Sequence, residues 1–412
     1  MKYGLIGEKL GHSFSRDVHG MLADYEYELR EIPKYELDDF MVRRDFEAIN
    51  VTIPYKEAVM PHLSYISDEA RAIGSVNTVV NRDGKLFGYN TDFFGMCAQI
   101  DKMHLDLCGK KTVILGTGGT SKTAYAVAKH LGADPIITVS RTEKDGVSDY
   151  NDLYEKHTDA EILINTTPVG MYPDNFSSPV DLTHFSKLEG VIDAIYNPIR
   201  TKLVTDALER GITAEGGLYM LVAQAVYASE IFFDAEYPRE RLNNIFNKIK
   251  CKKENIVLIG MPASGKTTLA NLLSKELSRA VYDTDTMIAQ SQKKSIPEIF
   301  ETEGEASFRG YERTAVEQVS ALNNSIIATG GGVILNQDNV RMLKQNGVIC
   351  FVDRPWQKLV PTQDRPLASD IEAIKKRYEE RYETYVRSAD AVIDADDQPI
   401  NTVKKIIGVF LK

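Results

Sequence analysis

Cysteine is scarce in this 412-residue chain: Cys97, Cys108, Cys251 and Cys350 are its four, far apart and with no C-x-x-C pair. That spacing excludes a dense disulfide framework and a thiolate zinc site, and leaves incidental thiols in a reducing compartment. Long hydrophobic runs are missing too. The most apolar helical stretch, Leu218 to Phe233, is interrupted by Gln224, Ser229 and Glu230, so a buried helix is expected there and not a membrane span. The opening MKYGLIGEKLGHS turns polar too early for a signal-peptide core. A positive excess is also absent. With 49 Lys and Arg against 59 Asp and Glu, the net charge of −10 offers nucleic acid or an anionic membrane no bulk attraction. A cytoplasmic chain acting on small molecules is the expectation, and nothing in the sequence sets an oligomeric state.

What is present is ordinary globular material, 43% hydrophobic and 26% charged, in a chain too long for one core. The charge is uneven. Residues 1–249 hold 26 Lys and Arg against 37 Asp and Glu, whereas residues 250–412 hold 23 against 22. Between them lies the basic, weakly periodic NKIKCKKEN (247–255), so a boundary is placed near 250. Short β-rich runs alternate with helical patterns throughout, which predicts α/β architecture with largely parallel sheets. The runs TVILG (112–116), IITVS (136–140), EILIN (161–165), GVIDAIY (190–196) and NIVLIG (255–260) read as strands, and TKLVTDALERG (201–211) as a helix.

In the second half, GMPASGKT (260–267) fits G-x-x-x-x-G-K-[ST] between a strand and a helix. Backbone N–H groups from Gly260, Ser264 and Gly265 onward to Thr268 can curl around phosphates, Lys266 brings a point charge to them, and the Thr267 hydroxyl can ligate Mg²⁺. The next strand runs into AVYDTDTMIAQ. Read as an extended segment, it puts Asp283 and Asp285 on one side, near the edge where such folds bind ligands. One carboxylate could hold Mg²⁺ through water while the other accepts a hydroxyl proton. Arg309 sits on a predicted helix, and KKRYEERYETY (375–385), with Arg381, reads as a charged helix face.

Taken together, the P-loop, D-T-D, I-F-x-x-x-G-E-x-x-F-R-x-x-E, G-G-G, R-P-L and R-x-x-x-Y occur in the order found in shikimate kinases, and this half resembles that family over nearly its whole length. The resemblance implies that Asp285, Arg309, Gly331 and Arg381 hold shikimate, the two arginines on its carboxylate. It further implies that Asp285 is the base, that Arg365 reaches the transferred phosphate from a lid, and that Asp283 supports Mg²⁺. ATP and Mg²⁺ are the implied cofactors. Between Asp353 and Arg365 the lid is short, and Pro361 stands where the family usually has an arginine against adenine.

In the first half, GTGGTSKTA (116–124) follows a strand and opens a helix. Gly116, Gly118, Gly119 and Thr120 allow a tight turn and a pyrophosphate at the helix N-terminus, with Ser121 in place of the third fingerprint glycine. The next strand ends not in an acid but in Ser140, Arg141 and Thr142, which suits a ribose 2′-phosphate, so NADP(H) is the expected dinucleotide. Ahead of this unit, HSFS presents Ser13 and Ser15, NVTIPYK presents Thr52 and Lys56, and Asn77, Asn90 and Asp92 follow. A lone lysine is usually a surface charge, but hydride reduction of a carbonyl needs a proton donor, and a lysine paired to a carboxylate can be one.

The runs G-L-I-G…H-S-x-S, N-V-T-x-P-x-K, G-x-x-N-T-V, N-T-D, G-x-G-G, S-R-T, D-x-x-Y-x-P-x-x-T-x-L and M-L-V-x-Q-A resemble shikimate dehydrogenase over residues 1 to about 245. The resemblance implies that Ser13, Ser15, Thr52, Asn77 and Gln224 bind the shikimate skeleton near Tyr196, that Lys56 and Asp92 are the catalytic pair, and that Gly217 and the Ala194 backbone approach the nicotinamide. It also implies a substrate domain (about 1–95 and 220–249) around a Rossmann-like NADP domain (about 96–219), followed by a P-loop kinase domain at 250–412 with a parallel sheet. Arg16 and Gly20 depart from the family's usual proline and asparagine. The joint expectation is a bifunctional enzyme of aromatic biosynthesis: NADPH reduces 3-dehydroshikimate to shikimate, and MgATP phosphorylates the product. Two other readings stay open. One is a quinate/shikimate oxidoreductase whose P-loop half binds nucleotide but is a weak or inactive kinase. The other is a non-catalytic nucleotide-binding scaffold.

Overall fold

A computed structural model describes residues 1–10, 14–22, 25–142, 145–359, 371–396 and 398–411. Ser13, Arg365, Pro361 and the rest of the lid expectation lie outside them. The described residues form two compact units, Met1–Ile249 and Lys250–Lys412.

The first unit holds two sheets. Strands β1 (Tyr3–Gly7), β2 (Tyr27–Glu31), β3 (Ala48–Val51), β4 (Tyr65–Ile66), β5 (Thr78–Arg82) and β6 (Lys85–Tyr89) are ordered β2-β1-β3-β5-β6-β4. Its β5 runs antiparallel to both neighbours, while the other pairings are parallel. The second sheet is wholly parallel: β7 (Thr112–Leu115), β8 (Ile136–Val139), β9 (Ile162–Asn165), β10 (Gly190–Asp193) and β11 (Thr213–Glu215), ordered β11-β10-β9-β7-β8. Its inner strands β7 and β9 are short, fully buried runs rich in Val, Ile and Leu, as expected of a parallel strand covered on both faces. Strand β7 is flanked by β8 on one side and β9 on the other, so the chain reverses its direction of travel there and leaves a crevice at the carboxyl ends.

Three helices tie the two sheets together. Thr91–Lys102 starts at Asn90, whose side chain accepts the Phe93 N–H and donates to Ser75 O. This helix sends Phe93, Met96 and Ile100 into a cluster with Ile114, Ile162 and Ile192 of the second sheet. The apolar stretch noted above is the helix Leu218–Phe233, which shares one core with Val18 and Leu22 of the helix Ser15–Leu22 and another with Leu5, Tyr27, Ala48 and Val80 of the first sheet. No helix among the described residues is long and apolar enough to cross a membrane. The basic segment 247–255 is not an irregular linker: it completes the helix Arg239–Lys253 and then enters a strand.

The second unit is a single parallel sheet of β12 (Asn255–Ile259), β13 (Ala280–Asp283), β14 (Ser325–Ala328), β15 (Gly347–Asp353) and β16 (Ala391–Asp394), ordered β13-β14-β12-β15-β16. Here β12 is the central strand, and the glycine-rich loop leaves its carboxyl end. Beyond β13 the sequence expectation fails: the strand stops at Asp283 and Thr284–Gln292 is helical. Asp283 is itself the cause. Its side chain accepts the Thr286 N–H at 3.1 Å and caps the new helix.

Candidate active sites

In the first unit, Lys56 and Asp92 meet. Lys56 lies in the loop leaving β3 and Asp92 in the first turn of Thr91–Lys102, and Lys56 Nζ stands 2.5 Å from an Asp92 carboxylate oxygen with both side chains partly exposed. The amino end of that helix favours the carboxylate. Asn77 organises the neighbourhood. Its Oδ1 accepts from Thr91 N at 2.7 Å, Thr78 Oγ1 at 3.0 Å and Thr91 Oγ1 at 3.2 Å, so this oxygen is committed to the framework and the Nδ2 donor is what remains for a ligand. Thr52 is held by its backbone N–H on Ile6 O at 2.9 Å. Ser15 opens the helix Ser15–Leu22, and Phe14 and the half-buried Tyr196 pack on the same cluster as Leu218–Phe233. Gln224 presses on Gly95, one turn beyond Asp92 on the same helix: a Cβ at Gly95 would lie 3.1 Å from the Gln224 Cβ.

The glycine turn follows β7. Gly118 and Gly119 have open space where a Cβ would stand, so a ligand backbone could approach them closely. Ser121 is buried and its hydroxyl donates to Gly116 O at 2.7 Å, which explains how serine replaces the third glycine without opening the turn. Residues 140–142 follow β8, β7's neighbour, with Arg141 and Thr142 exposed. Lys122, on the helix Gly119–His130, pairs with Glu57 at 2.7 Å, which brings the glycine turn up to the Lys56 loop. Gly217 and Ala194 touch: a Cβ at Gly217 would stand 2.2 Å from Ala194 O, so only glycine fits.

Sequence reasoning assigned no role to Asp193, although a lone acid inside the apolar GVIDAIY was the available signal. Its carboxyl is fully buried at the end of β10 and accepts from Thr201 Oγ1 at 2.6 Å, Ile195 N at 2.9 Å and Asn165 Nδ2 at 3.0 Å. Burial pushes it up to about 6 against the pull of those donors. Between its ordinary value of 3.8 and about 6, the native state keeps a proton that the unfolded chain has released. This group's contribution to stability therefore falls as pH rises through that window and stays low above it. Relative to wild type, Asp193→Asn is expected to gain about 3 kcal/mol as the pH climbs from about 4 to about 7. Urea midpoints of peptides covering 190–205, read by pulsed hydrogen exchange, would check this; a pH-independent difference would refute it.

In the second unit the P-loop closes around its own lysine. Gly260, Ala263 and Gly265 all have positive φ, and Lys266 Nζ donates to Gly260 O and Met261 O, each at 2.9 Å, and reaches Ser264 Oγ at 3.5 Å. Thr267 Oγ1 donates to Asp283 at 2.8 Å, a hydroxyl–carboxylate pair of the kind that can hold a magnesium ion, while Thr268 is exposed beside it. Among the described residues no group of three or more His, Cys, Asp or Glu could cage a metal.

Asp285 does not join Asp283, because helical geometry replaces strand alternation there. It faces the glycine run instead. A Cβ at Gly330 would lie 2.4 Å from Asp285 Oδ1, one at Gly331 2.7 Å from the Pro262 ring, and one at Gly332 2.2 Å from an Arg309 guanidinium nitrogen. The three glycines therefore let Asp285, the P-loop and Arg309 converge on one loop, which Thr284 fastens by accepting Gly330 N–H at 3.0 Å. Arg381 donates to Gly331 O at 3.3 Å, and Tyr385 donates to the same oxygen at 2.5 Å. The stretch taken as a charged helix face thus has an inward face, with Tyr378 and Tyr382 on Asp353 at 2.8 and 3.2 Å. Sequence reasoning gave no role to Glu312 either, although it is the last residue of the F-R-x-x-E run. Nearly fully buried, it bonds Arg309 at 2.9 Å, and burial raises its carboxyl.

Comparison with known proteins decides the family. A shikimate dehydrogenase (NADP(+)) of Clostridium perfringens strain SM101 is 37% identical over 278 residues, spanning 61% of this chain and 98% of that relative. The chain belongs to the shikimate dehydrogenase family. The family model for the shikimate dehydrogenase substrate-binding domain matches residues 5–79, and the shikimate kinase model matches residues 262–410, so a shikimate kinase domain follows the dehydrogenase. A chorismate mutase/shikimate 5-dehydrogenase fusion from Clostridium acetobutylicum superposes with a TM-score of 0.57 at 36% identity, over 60% of this chain and 96% of that one. A Thermus thermophilus shikimate 5-dehydrogenase in complex with NADP(H) and shikimate superposes at 0.54 and 27% identity, over 60% and 99%. The chain is therefore an oxidoreductase joined to a kinase, a bifunctional enzyme of the shikimate pathway.

Proposed function

We propose that the first unit reduces 3-dehydroshikimate to shikimate with NADPH and that the second phosphorylates shikimate at its 3-hydroxyl with MgATP. The observation that carries the first reaction is the Lys56–Asp92 pair beside the dinucleotide turn. NADPH supplies the hydride when bound. Lys56 delivers a proton to the carbonyl oxygen as charge builds there, and Asp92 keeps the ammonium aimed. Ser13, Ser15, Thr52, Asn77, Tyr196 and Gln224 line the substrate's side. Gly116, Gly118, Gly119 and Thr120 receive the pyrophosphate, Ser140, Arg141 and Thr142 the 2′-phosphate, and Ala194 and Gly217 the nicotinamide. The Asn77 Nδ2 donor and the exposed Arg141 support this assignment.

In the second unit, Asp285 accepts the proton of the attacking hydroxyl, and Arg309 and Arg381 hold the substrate carboxylate above Gly331. Lys266 and Arg365 balance charge on the transferred phosphoryl group, which ATP supplies. Thr267 and Asp283 fit Mg²⁺. The division into a substrate domain (about 1–95 and 220–249), an NADP domain (about 96–219) and a kinase domain (250–412) follows from the same assignment. One incubation of the chain with 3-dehydroshikimate, NADPH and MgATP, followed by mass spectrometry, tests it. Shikimate should appear first and then convert to shikimate phosphate. Shikimate that accumulates unphosphorylated would sink the second assignment and leave the first.

A further inference from the structure

Arg354 is a charged residue that neither unit's chemistry has used. It follows β15, the strand paired with β12 through Ile259–Phe351, so it emerges beside the start of the P-loop. One of its terminal guanidinium nitrogens stands 3.8 Å from where a Gly265 Cβ would be, and Gly265 is the residue that caps the helix Lys266–Leu277. Its Nε is buried and bonded to nothing among the described residues. Among the described residues, the carboxylates that end β15 and the paired β16 are already engaged, Asp353 by Tyr378 and Tyr382 and Asp394 by Lys405. A guanidinium keeps its charge, and leaving it half-buried with no ion pair among the described residues costs free energy. That cost makes sense if an anion arrives. The place it faces is the amino end of a helix behind a loop of N–H donors, where phosphate binds.

We propose that Arg354 is a second cation of the phosphate cradle, contacting the polyphosphate of the nucleotide on the Gly265 side while Lys266 contacts it from within the loop. The proposal rests on the kinase assignment of the second unit and adds to it a residue that the motif does not contain. Arg354 is expected to grip ADP and ATP alike and to leave shikimate alone.

Calorimetric titration of the full chain with MgADP and with inorganic pyrophosphate tests this in wild type, Arg354→Ala and Arg354→Lys. Removing a charge-assisted contact should weaken both ligands by about 10- to 100-fold in the alanine variant, with partial recovery in the lysine variant. The KM for shikimate should move less than about twofold, and dehydroshikimate reduction by the same chain should be unchanged, which reports that the protein is folded. Should the alanine variant fail to fold, the lysine variant alone decides, since losing the forked donor should still weaken pyrophosphate several-fold. MgADP affinity within about twofold of wild type in the variants would overturn the proposal. So would a loss confined to MgADP with pyrophosphate untouched, because the contact would then be on the base. A wild-type chain that binds no MgADP overturns the kinase assignment too, and so tells the two failures apart.

Discussion

Lys56→Ala is expected to lower kcat for carbonyl reduction by about 10²–10⁴-fold, while phosphorylation by the same chain continues at the wild-type rate. The magnitude is that of general acid catalysis. An alkoxide left by hydride addition is a far stronger base than water, and in the proposed reaction the Lys56 ammonium quenches it. At 2.5 Å from Asp92, that ammonium is fixed in direction before substrate arrives. Asp92→Asn should cost less than loss of the lysine, since the donor persists and only its aim and charge partner go. Its signature is a fall in kcat with the KM for dehydroshikimate little changed, because an ammonium without its partner is no longer held in one direction. Stopped-flow NADPH absorbance measures both variants. An alanine variant retaining more than about a tenth of wild-type kcat would remove Lys56 from the proton's path.

The parts legible in the sequence were those whose cause is local. A strand that must be buried on both faces is a run of Val, Ile and Leu, and β7, β9 and β12 could be read from that alone. A loop that must expose N–H groups to phosphate needs glycines at fixed offsets. The errors came where one side chain settles the conformation of the next four residues. AVYDTD continues a strand by propensity, yet the Asp283 cap turns it into a helix and sends Asp285 to a different wall of the site. The inward face of Ile371–Ser388 was obscured by its charges. Tyr378, Tyr382 and Tyr385 recur at helical spacing and mark that face, but tyrosine is tolerated outside as readily as inside. The roles of Asp193 and Arg354 were hidden for a different reason. Their meaning lies in what surrounds them, Thr201 and Asn165 in one case and Gly265 in the other, and no local pattern encodes that.

Lys266→Ala is expected to cut shikimate phosphorylation by about 10²–10³-fold and leave dehydroshikimate reduction intact. Lys266 Nζ donates to the carbonyls of Gly260 and Met261 and reaches the Ser264 hydroxyl, within a loop where its side chain is almost wholly buried. Those contacts fix the position of the ammonium, so its field is already aimed when the negative charge of the phosphoryl group shifts during transfer. Little reorganisation is needed at that moment, which is the condition under which a buried charge lowers a barrier most. Lys266→Arg should rescue little: a planar guanidinium cannot occupy a space that brings two carbonyls within 2.9 Å of a single nitrogen. The binding of shikimate should be nearly unchanged, because Arg309 and Arg381 are anchored on the Gly330–Gly332 loop and not on the lysine. A coupled ADP-release assay with shikimate titrated at saturating MgATP separates these terms. Loss of kcat at constant shikimate KM supports a charge spent on the transition state, and a raised shikimate KM with kcat preserved would mean that the lysine merely shapes the pocket.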